Sequence, residues 1–466
     1  MEREMRINRR IFLRQTGFIT LGLLISQTSF SSRQPHINFA DSEEGFGFGP
    51  LKKDRRGVLD LPKGFKYKII SRAGDKMDDG FYVPHLPDGM AAFPGPDGLT
   101  IIIRNHEFRI GYDEKVGAFK GKDKLWKKVH SEYIYDLGPD GKPLLGGTTT
   151  LVYDTRKQKL LSQHLSLIGT LANCSGGITP WGTWISCEEA CYFDEEVCSR
   201  NHGYAFEVPI SVEPGLTKPV PLAAMGRFTR EGVAFDPQTG IAYQTEDMED
   251  SLLYRFIPDE PGDLIKGGRL ECLGIVGKPG LDLRNWKVQS VVQGDVLDVT
   301  WLDLENPDPD EDNLRFQGHD KGAALFASGE GVTFFNGVVY FDCTNGGRTG
   351  KGQIWKYRPS PYEGTPQEAD EPGQLELFVE PNDPSILDHP DQLAVAPWGD
   401  VMVCEDGKED QFLLGITPER QFYKFARNAL NDSELAGVCF SPDGTTMFLN
   451  NLATGLTFAI TGLWKK

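Results

Sequence analysis

A short pattern returns six times along this chain. Each copy starts with a polar or acidic residue and a small residue, usually glycine. A brief apolar run, a turn with Gly, Pro or Asn, and a second apolar run ending in a polar cluster follow. The clearest copies are Glu231–Asp247 (EGVAFDPQTGIAYQTED), Glu330–Asn345 (EGVTFFNGVVYFDCTN), Asp391–Asp406 (DQLAVAPWGDVMVCED) and Ala436–Asn451 (AGVCFSPDGTTMFLNN). Weaker copies lie at Asp88–Glu107 and Asn173–Glu189. Two apolar runs around residues that tolerate positive φ or preset a bend predict a β-hairpin. Strand-like segments at Tyr204–Val208, Leu253–Ile257 and Ile354–Tyr357 supply outer strands. Radial repetition of such units is a β-propeller. The expected fold is therefore all-β, a six-bladed β-propeller. A sandwich pair or a solenoid suits the irregular spacing less well. The Gly/Pro-rich stretch Glu43–Pro62 is expected to wrap the surface or close the ring.

The 53 Gly and 30 Pro in 466 residues agree with a turn-rich, many-stranded chain. A net charge of -18 argues against nucleic-acid binding, which needs basic stripes. At the N-terminus, Asn8-Arg9-Arg10-Ile11-Phe12-Leu13-Arg14 precedes a short apolar run, Thr16–Leu24. That arrangement predicts a signal peptide of the twin-arginine type, too short for a stable membrane span. The expected organisation is a leader over 1–30, an extension over 31–62 and a single propeller domain over 63–466. Export through the twin-arginine machinery to the periplasm, or an equivalent exported compartment, is the expected fate. Eight cysteines suit an exported protein, and a disulfide among Cys187, Cys191 and Cys198 is plausible.

The first and last residues of a hairpin lie side by side, opposite its turn. In a propeller, the same end of every inner hairpin faces one mouth of the channel. The residues gathered there are Asp88, Glu107, Asn173, Cys174, Glu188, Glu189, Glu231, Glu246, Asp247, Glu330, Asp391, Glu405 and Asp406. So many carboxylates at one mouth repel each other unless cations hold them. Oxygen ligands suit calcium, and the thiol of Cys174 adds a ligand suited to iron. A lone cysteine near a strand is usually a small buried hydrophobe; its place among the acids sets Cys174 apart. His106 fits a hydrogen-bonded histidine better than a ligand. The acid-rich Asp303–Asp312 lacks calcium-loop spacing and is expected to be a surface insertion.

The segment NCSGGITPWGTWISCEE (Asn173–Glu189) resembles the signature of PhoX-type alkaline phosphatases. Arg104–Glu107, EGVAFDPQTGIAYQTED, and AGVCFSPDGTTMFLNN with its following LTFAITG are similar to further blocks of that family. The resemblance implies a six-bladed propeller that hydrolyses phosphate esters outside the cytoplasm. It also implies iron and calcium ions bridged by an oxo group, with one cysteine ligand to iron, matched by Cys174. Glu189, Glu231 and Glu330 fall on the family's acidic positions. Glu107 and Glu405 follow by motif and repeat, and Asn173 and Glu246 complete the expected ligand set. No catalytic side chain is singled out, because the bridging oxygen is the implied nucleophile. The expected partner is a small phosphate ester.

One departure stands out. The family pattern Phe-Ser-Arg-x-Glu-Gly here reads Phe326-Ala327-Ser328-Gly329-Glu330-Gly331, so Ser328 takes the place of an arginine suited to phosphate oxygens. Lys321, Arg230 or Arg348 could compensate. Two rival readings are a calcium-dependent propeller esterase or lactonase, and a non-catalytic propeller stabilised by metal.

Overall fold

The computed structural model describes residues 47–465 apart from 193; the leader and the segment up to residue 46 lie outside the described residues. The fold is all-β and propeller-like. Among the described residues the longest helix is Leu314–Lys321. All six hairpins form where the repeat places them. They pair Pro87–Pro94 with Thr100–His106, Asn173–Ile178 with Thr183–Glu188, and Arg230–Phe235 with Ala242–Glu246. The others pair Gly329–Phe335 with Val338–Cys343, Pro390–Val395 with Val401–Glu405, and Leu435–Phe440 with Thr446–Asn451.

The first strand of each hairpin packs against the first strand of the next, and the last returns to the first. These inner strands line a central cavity of about 340 Å³ that includes Gly89, Gly176, Val233, Val332, Leu393 and Val438. The close approach explains the glycine that follows Asp88, Glu231 and Glu330. A Cβ on Gly89 would stand 2.6 Å from the Ser175 Cα, and one on Gly331 would stand 2.6 Å from the Leu393 nitrogen. Either contact would force neighbouring backbones apart.

The strands fall into five sheets rather than six separate blades. Val296–Asp303 pairs through its first three residues with Gln374–Val379 and through its last five with Gly268–Ile275. That double pairing joins the sheets of the third and fourth hairpins into one of nine strands. Their shared core is aromatic, with Tyr243, Phe326, Phe341, Trp355 and Tyr357 all buried. The N- and C-terminal parts meet in a four-stranded sheet, where Lys66–Arg72 pairs with Leu456–Thr461. Leu59–Pro62 instead extends the sheet of the fifth hairpin by pairing with Phe422–Asn428. Part of the expected extension is thus integral to a sheet. Phe48, Phe65, Trp398, Phe425 and Trp464 pack there, with Phe65 and Trp464 centroids 4.7 Å apart. No helix of the described residues is long and apolar enough to cross a membrane.

Candidate metal centre

The same irregularity marks the start of five inner strands. Between the pairs Arg230↔Glu246 and Val233↔Gln244, two residues of the first strand oppose one of the second. The register breaks identically at Pro87/Met90, Asn173/Gly176, Gly329/Val332 and Pro390/Leu393. These are β-bulges, which bend a strand and re-aim a side chain. The first bulged residue of each is Asp88, Cys174, Glu231, Glu330 and Asp391, and all five are buried. In the sixth strand the corresponding residue is Ala436, and the break comes one pair later. Its blade contributes Glu434 from just before the strand.

Ligand-capable atoms of these residues converge. Asp88, Glu107 and Cys174 lie within 4.8 Å of one another, as do Cys174, Glu189 and Glu231. The same holds for Glu231, Glu330 and Asp391, and for Asp391, Asp406 and Glu434. Cys174, Glu231 and Asp391 are the shared members, so eight carboxylates and one thiol form one continuous cluster. The Cys174 thiol donates to Asp88 Oδ2 at 3.2 Å and to Glu231 Oε1 at 3.0 Å. Burial first, then the charges of Asp88, Glu231, Glu189 and Glu107, push that thiol well above its ordinary pKa. Without cations Cys174 is therefore a neutral donor, and a cation is what makes a thiolate stable there.

Polar residues of the inner hairpins fix the ligands from the neighbouring blade. Asn105 Nδ2 donates to the carbonyls of Cys174 (3.1 Å) and Ser175 (2.7 Å). Asn450 Nδ2 donates to the Asp88 carbonyl at 2.6 Å, and Thr245 Oγ1 donates to the Glu330 carbonyl. Gln392 donates to the Asp88 carboxylate and accepts from Gly437 N. Asp342 holds the equivalent position before Asp391; burial, then Asp391, pushes its carboxyl well above the usual carboxylate range. The repeat could have disclosed this position, which falls one residue before each hairpin's end.

Several expected site residues lie elsewhere. Asn173 accepts from Thr170 Oγ1 (2.6 Å) and donates to Ser186 Oγ (2.9 Å), so its amide holds neighbouring backbone segments together. Glu246 accepts from Tyr254 Oη (2.8 Å) and Leu252 N (3.3 Å). Glu405 accepts from Asp388 N at 2.7 Å. Neither belongs to the cluster. The physical reason is strand alternation: the last paired residue of a second strand points back to cap a loop, and the residue after it reaches the mouth. Glu107, Glu189 and Asp406 are those following residues. His106 bonds through Nδ1 to the His85 carbonyl (2.9 Å) and through Nε2 to Thr149 Oγ1 (2.8 Å), as expected of a satisfied histidine. The expected disulfide is absent: Cys187, Cys191 and Cys198 are all free thiols, with Cys187 packed into an apolar core. Asp303–Asp312 is a surface segment tied down by Arg227, which donates to the carbonyls of Pro309 and Asp310.

Two of the three cations that could replace the arginine at Ser328 are engaged elsewhere. Arg230 is fully buried on the carbonyls of Gly203, Met225 and Gly226. Lys321 bonds the Asp303 carbonyl, and Arg348 is exposed in a turn. Arg109, missed by the repeat because it lies beyond the hairpin, is a cation that reaches the cluster. Its guanidinium is 2.7 Å from Glu189 and 3.1 Å from Glu107, with the side chain 42% exposed.

Glu246 offers a clean test of the loop-cap assignment. Burial pushes its carboxyl up to about 8, against the opposing effect of Arg315. The unfolded chain ionises from its ordinary value of 4.5, so folded stability falls between about pH 4.5 and pH 8 and the penalty is complete above. Glu246→Gln keeps an acceptor for Tyr254 and removes the charge. It is expected to match the wild type in thermal denaturation near pH 5 and to melt higher near pH 9. The gain there is on the order of several kcal/mol, since each tenfold change in an ionisation equilibrium is worth about 1.4 kcal/mol. Its metal content should not change; loss of metal would restore Glu246 to the ligand set.

The fold and this mouth together define a propeller-like all-β protein in which eight carboxylates and one thiol are gathered where they could hold metal ions. Residues 46–455 match the family Alkaline phosphatase PhoX, and the chain belongs to that family, making it a phosphoric ester hydrolase. A solved structure of Pseudomonas fluorescens PhoX in complex with vanadate, a transition state analogue, superposes with a TM-score of 0.66 at 16% identity. It covers 90% of this chain and 98% of that one. At this identity the likeness shows a shared fold. A gluconolactonase from Xanthomonas campestris (TM-score 0.39, 9% identity, 90% of this chain and 99% of that one) is more distant. So is a virginiamycin B lyase from Staphylococcus aureus (0.37, 11%, 86% and 100%). No curated protein sequence matches the chain significantly.

Proposed function

We propose that the chain is an exported propeller phosphatase that hydrolyses small phosphate monoesters at a mixed iron and calcium centre. The observation that carries this reading is a single thiol, Cys174, held between Asp88 and Glu231 in an otherwise all-carboxylate cluster. Oxygen donors alone suit calcium; one thiolate among them suits iron. Asp88, Glu107, Cys174, Glu189 and Glu231 would hold the softer end, and Glu330, Asp391, Asp406 and Glu434 the all-oxygen end. Cations in such a site supply Lewis acidity and offset the charge that develops on phosphoryl oxygens. The local field then favours an anionic ester despite the net charge of -18.

The chain's own residues position and select. Arg109 is placed to clamp two phosphate oxygens, the role open at Ser328, once cations draw Glu107 and Glu189 away from it. Ser328 itself has φ 49° and accepts from Asn345, so it faces its own turn. Asn105, Thr245 and Asn450 keep the ligand backbones in place. On this reading the nine-stranded sheet counts as two blades, giving six around the channel. The twin-arginine leader supports export of the folded, loaded protein to the periplasm.

The test is metal removal. Protein produced with its own leader and recovered from the periplasmic fraction should hydrolyse 4-nitrophenyl phosphate. Chelation should lower the rate by at least about a hundredfold, the scale of lost electrostatic stabilisation. Iron and calcium together should restore it. Full activity in metal-free protein would refute the reading, and restoration by calcium alone would remove iron and Cys174 from it.

A further inference from the structure

A second group of metal-ligand side chains lies outside the carboxylate cluster. Asp136 comes from the connection between Thr100–His106 and Gly146–Asp154. Cys198 and His202 come from the connection between Thr183–Glu188 and Ala205–Pro209. Ligand atoms of the three lie within 4.8 Å of one another, and no residue of the set is more than 1% exposed. His202 Nε2 is 3.3 Å from Asp136 Oδ2, and Cys198 is hydrogen-bonded to His202.

The imidazole is fixed from its other side. His202 Nδ1 donates to Glu188 Oε1 at 2.7 Å. Glu188 is itself immobilised by the backbone amides of Leu171 (2.9 Å), Gly203 (2.9 Å) and Tyr204 (3.2 Å). Asp136 is held likewise by the amides of Gly138 (2.6 Å), Ser199 (2.8 Å) and Arg200 (3.0 Å). A carboxylate on the far nitrogen of a histidine is the arrangement that orients metal-bound imidazoles. Burial alone would lower the His202 pKa, but Glu188 and Asp136 outweigh it and raise it to about 11. Cys198 stands at the third corner of the same network, hydrogen-bonded to His202, so an imidazole, a carboxylate and a thiol share one buried point.

We propose that Asp136, Cys198 and His202 form a second metal site that takes a zinc ion, with Glu188 as the carboxylate orienting His202. Imidazole, thiolate and carboxylate together suit zinc. Bonds of about 2.0–2.3 Å in tetrahedral geometry place ligand atoms roughly 3.3–3.8 Å apart, which the His202–Asp136 separation meets. Loading releases the Cys198 thiol proton and the Nε2 proton of His202, while the Nδ1 proton stays on His202, donated to the Glu188 carboxylate, so binding weakens as pH falls. The ion would tie the insertions of two adjacent blades together beside Glu189.

The experiment is metal titration of the folded full-length protein with zinc, and with cobalt as a spectroscopic probe. To keep the mouth thiol out of the reading, both are done on Cys174→Ala. We expect one zinc per chain to be retained, and a cobalt–thiolate charge-transfer band that disappears in Cys174→Ala/Cys198→Ser. Glu188→Gln should weaken zinc binding by about 10–100-fold, the usual effect of losing an orienting partner. If the Cys198 variants fail to fold, a zinc-dependent rise in the melting temperature of Cys174→Ala that is lost in Cys174→Ala/Glu188→Gln carries the test. Absence of the band and of any zinc-dependent stabilisation overturns the site. Because phosphatase activity is not the readout, failure here leaves the mouth's function untouched.

Discussion

Glu231→Gln is expected to lower kcat/KM for a phosphomonoester by about a thousandfold or more while leaving the fold intact. Glu231 belongs to two of the four overlapping ligand groups and accepts from the Cys174 thiol. Glutamine keeps the volume and an acceptor oxygen, but removes one negative charge from the centre of the cluster. Losing an anionic ligand costs both cation affinity and the electrostatic stabilisation that the cations lend the transition state. A thousandfold corresponds to about 4 kcal/mol. The stability of the metal-free protein should move the other way. With one buried carboxylate fewer beside Glu330 and Asp391, less charge is crowded together, so the metal-free variant should melt no lower than the metal-free wild type. Steady-state kinetics and thermal denaturation on the same preparations decide it. A variant that loses activity only because it unfolds would remove Glu231 from the centre's chemistry.

Arg109→Ala should lower kcat/KM by about 10–150-fold, the scale of one charge-assisted hydrogen-bonded contact of about 1.5–3 kcal/mol. The side chain is part-exposed at the rim and spans Glu107 and Glu189, so its removal touches no core packing. The loss should be larger for the dianionic ester than for a neutral carboxylic ester used as a control. Arg109→Lys should recover only part of it, since an ammonium lacks the two-pronged geometry. Metal content should stay at the wild-type level. Loss of metal together with activity would make Arg109 a brace for Glu107 and Glu189 instead of a substrate contact.

Much of this was legible from local signals. Each hairpin carries its own alternation and turn residues, so all six could be placed without knowing how they pack. The mouth was legible because repetition puts equivalent residues at equivalent places: Cys174, Glu189, Glu231, Glu330 and Glu107 meet as expected. The differences have separate local causes. A bulge shifts the alternation by one residue, so Glu246 and Glu405 turn back to cap loops while Asp406 reaches the mouth. Asp88 and Asp391 stood among the gathered acids but not in the expected ligand set. Glu434 falls outside the repeat because Ala436 occupies its blade's usual ligand position. The fused nine-stranded sheet depends on Val296–Asp303, whose exposed and irregular pattern gives no local cue to its long-range partner Gln374–Val379. Arg109 and the pairing of Asp136 with Cys198 and His202 arise from loops, where three-dimensional proximity has no period to follow.

The centre itself is tested most directly by diffraction from crystals of the unchelated protein, collected on both sides of the iron absorption edge. An anomalous iron peak within bonding distance of the Cys174 sulfur, with lighter cations among Glu330, Asp391, Asp406 and Glu434, is the predicted result. A mouth free of iron in protein that still turns over phosphomonoesters would contradict it.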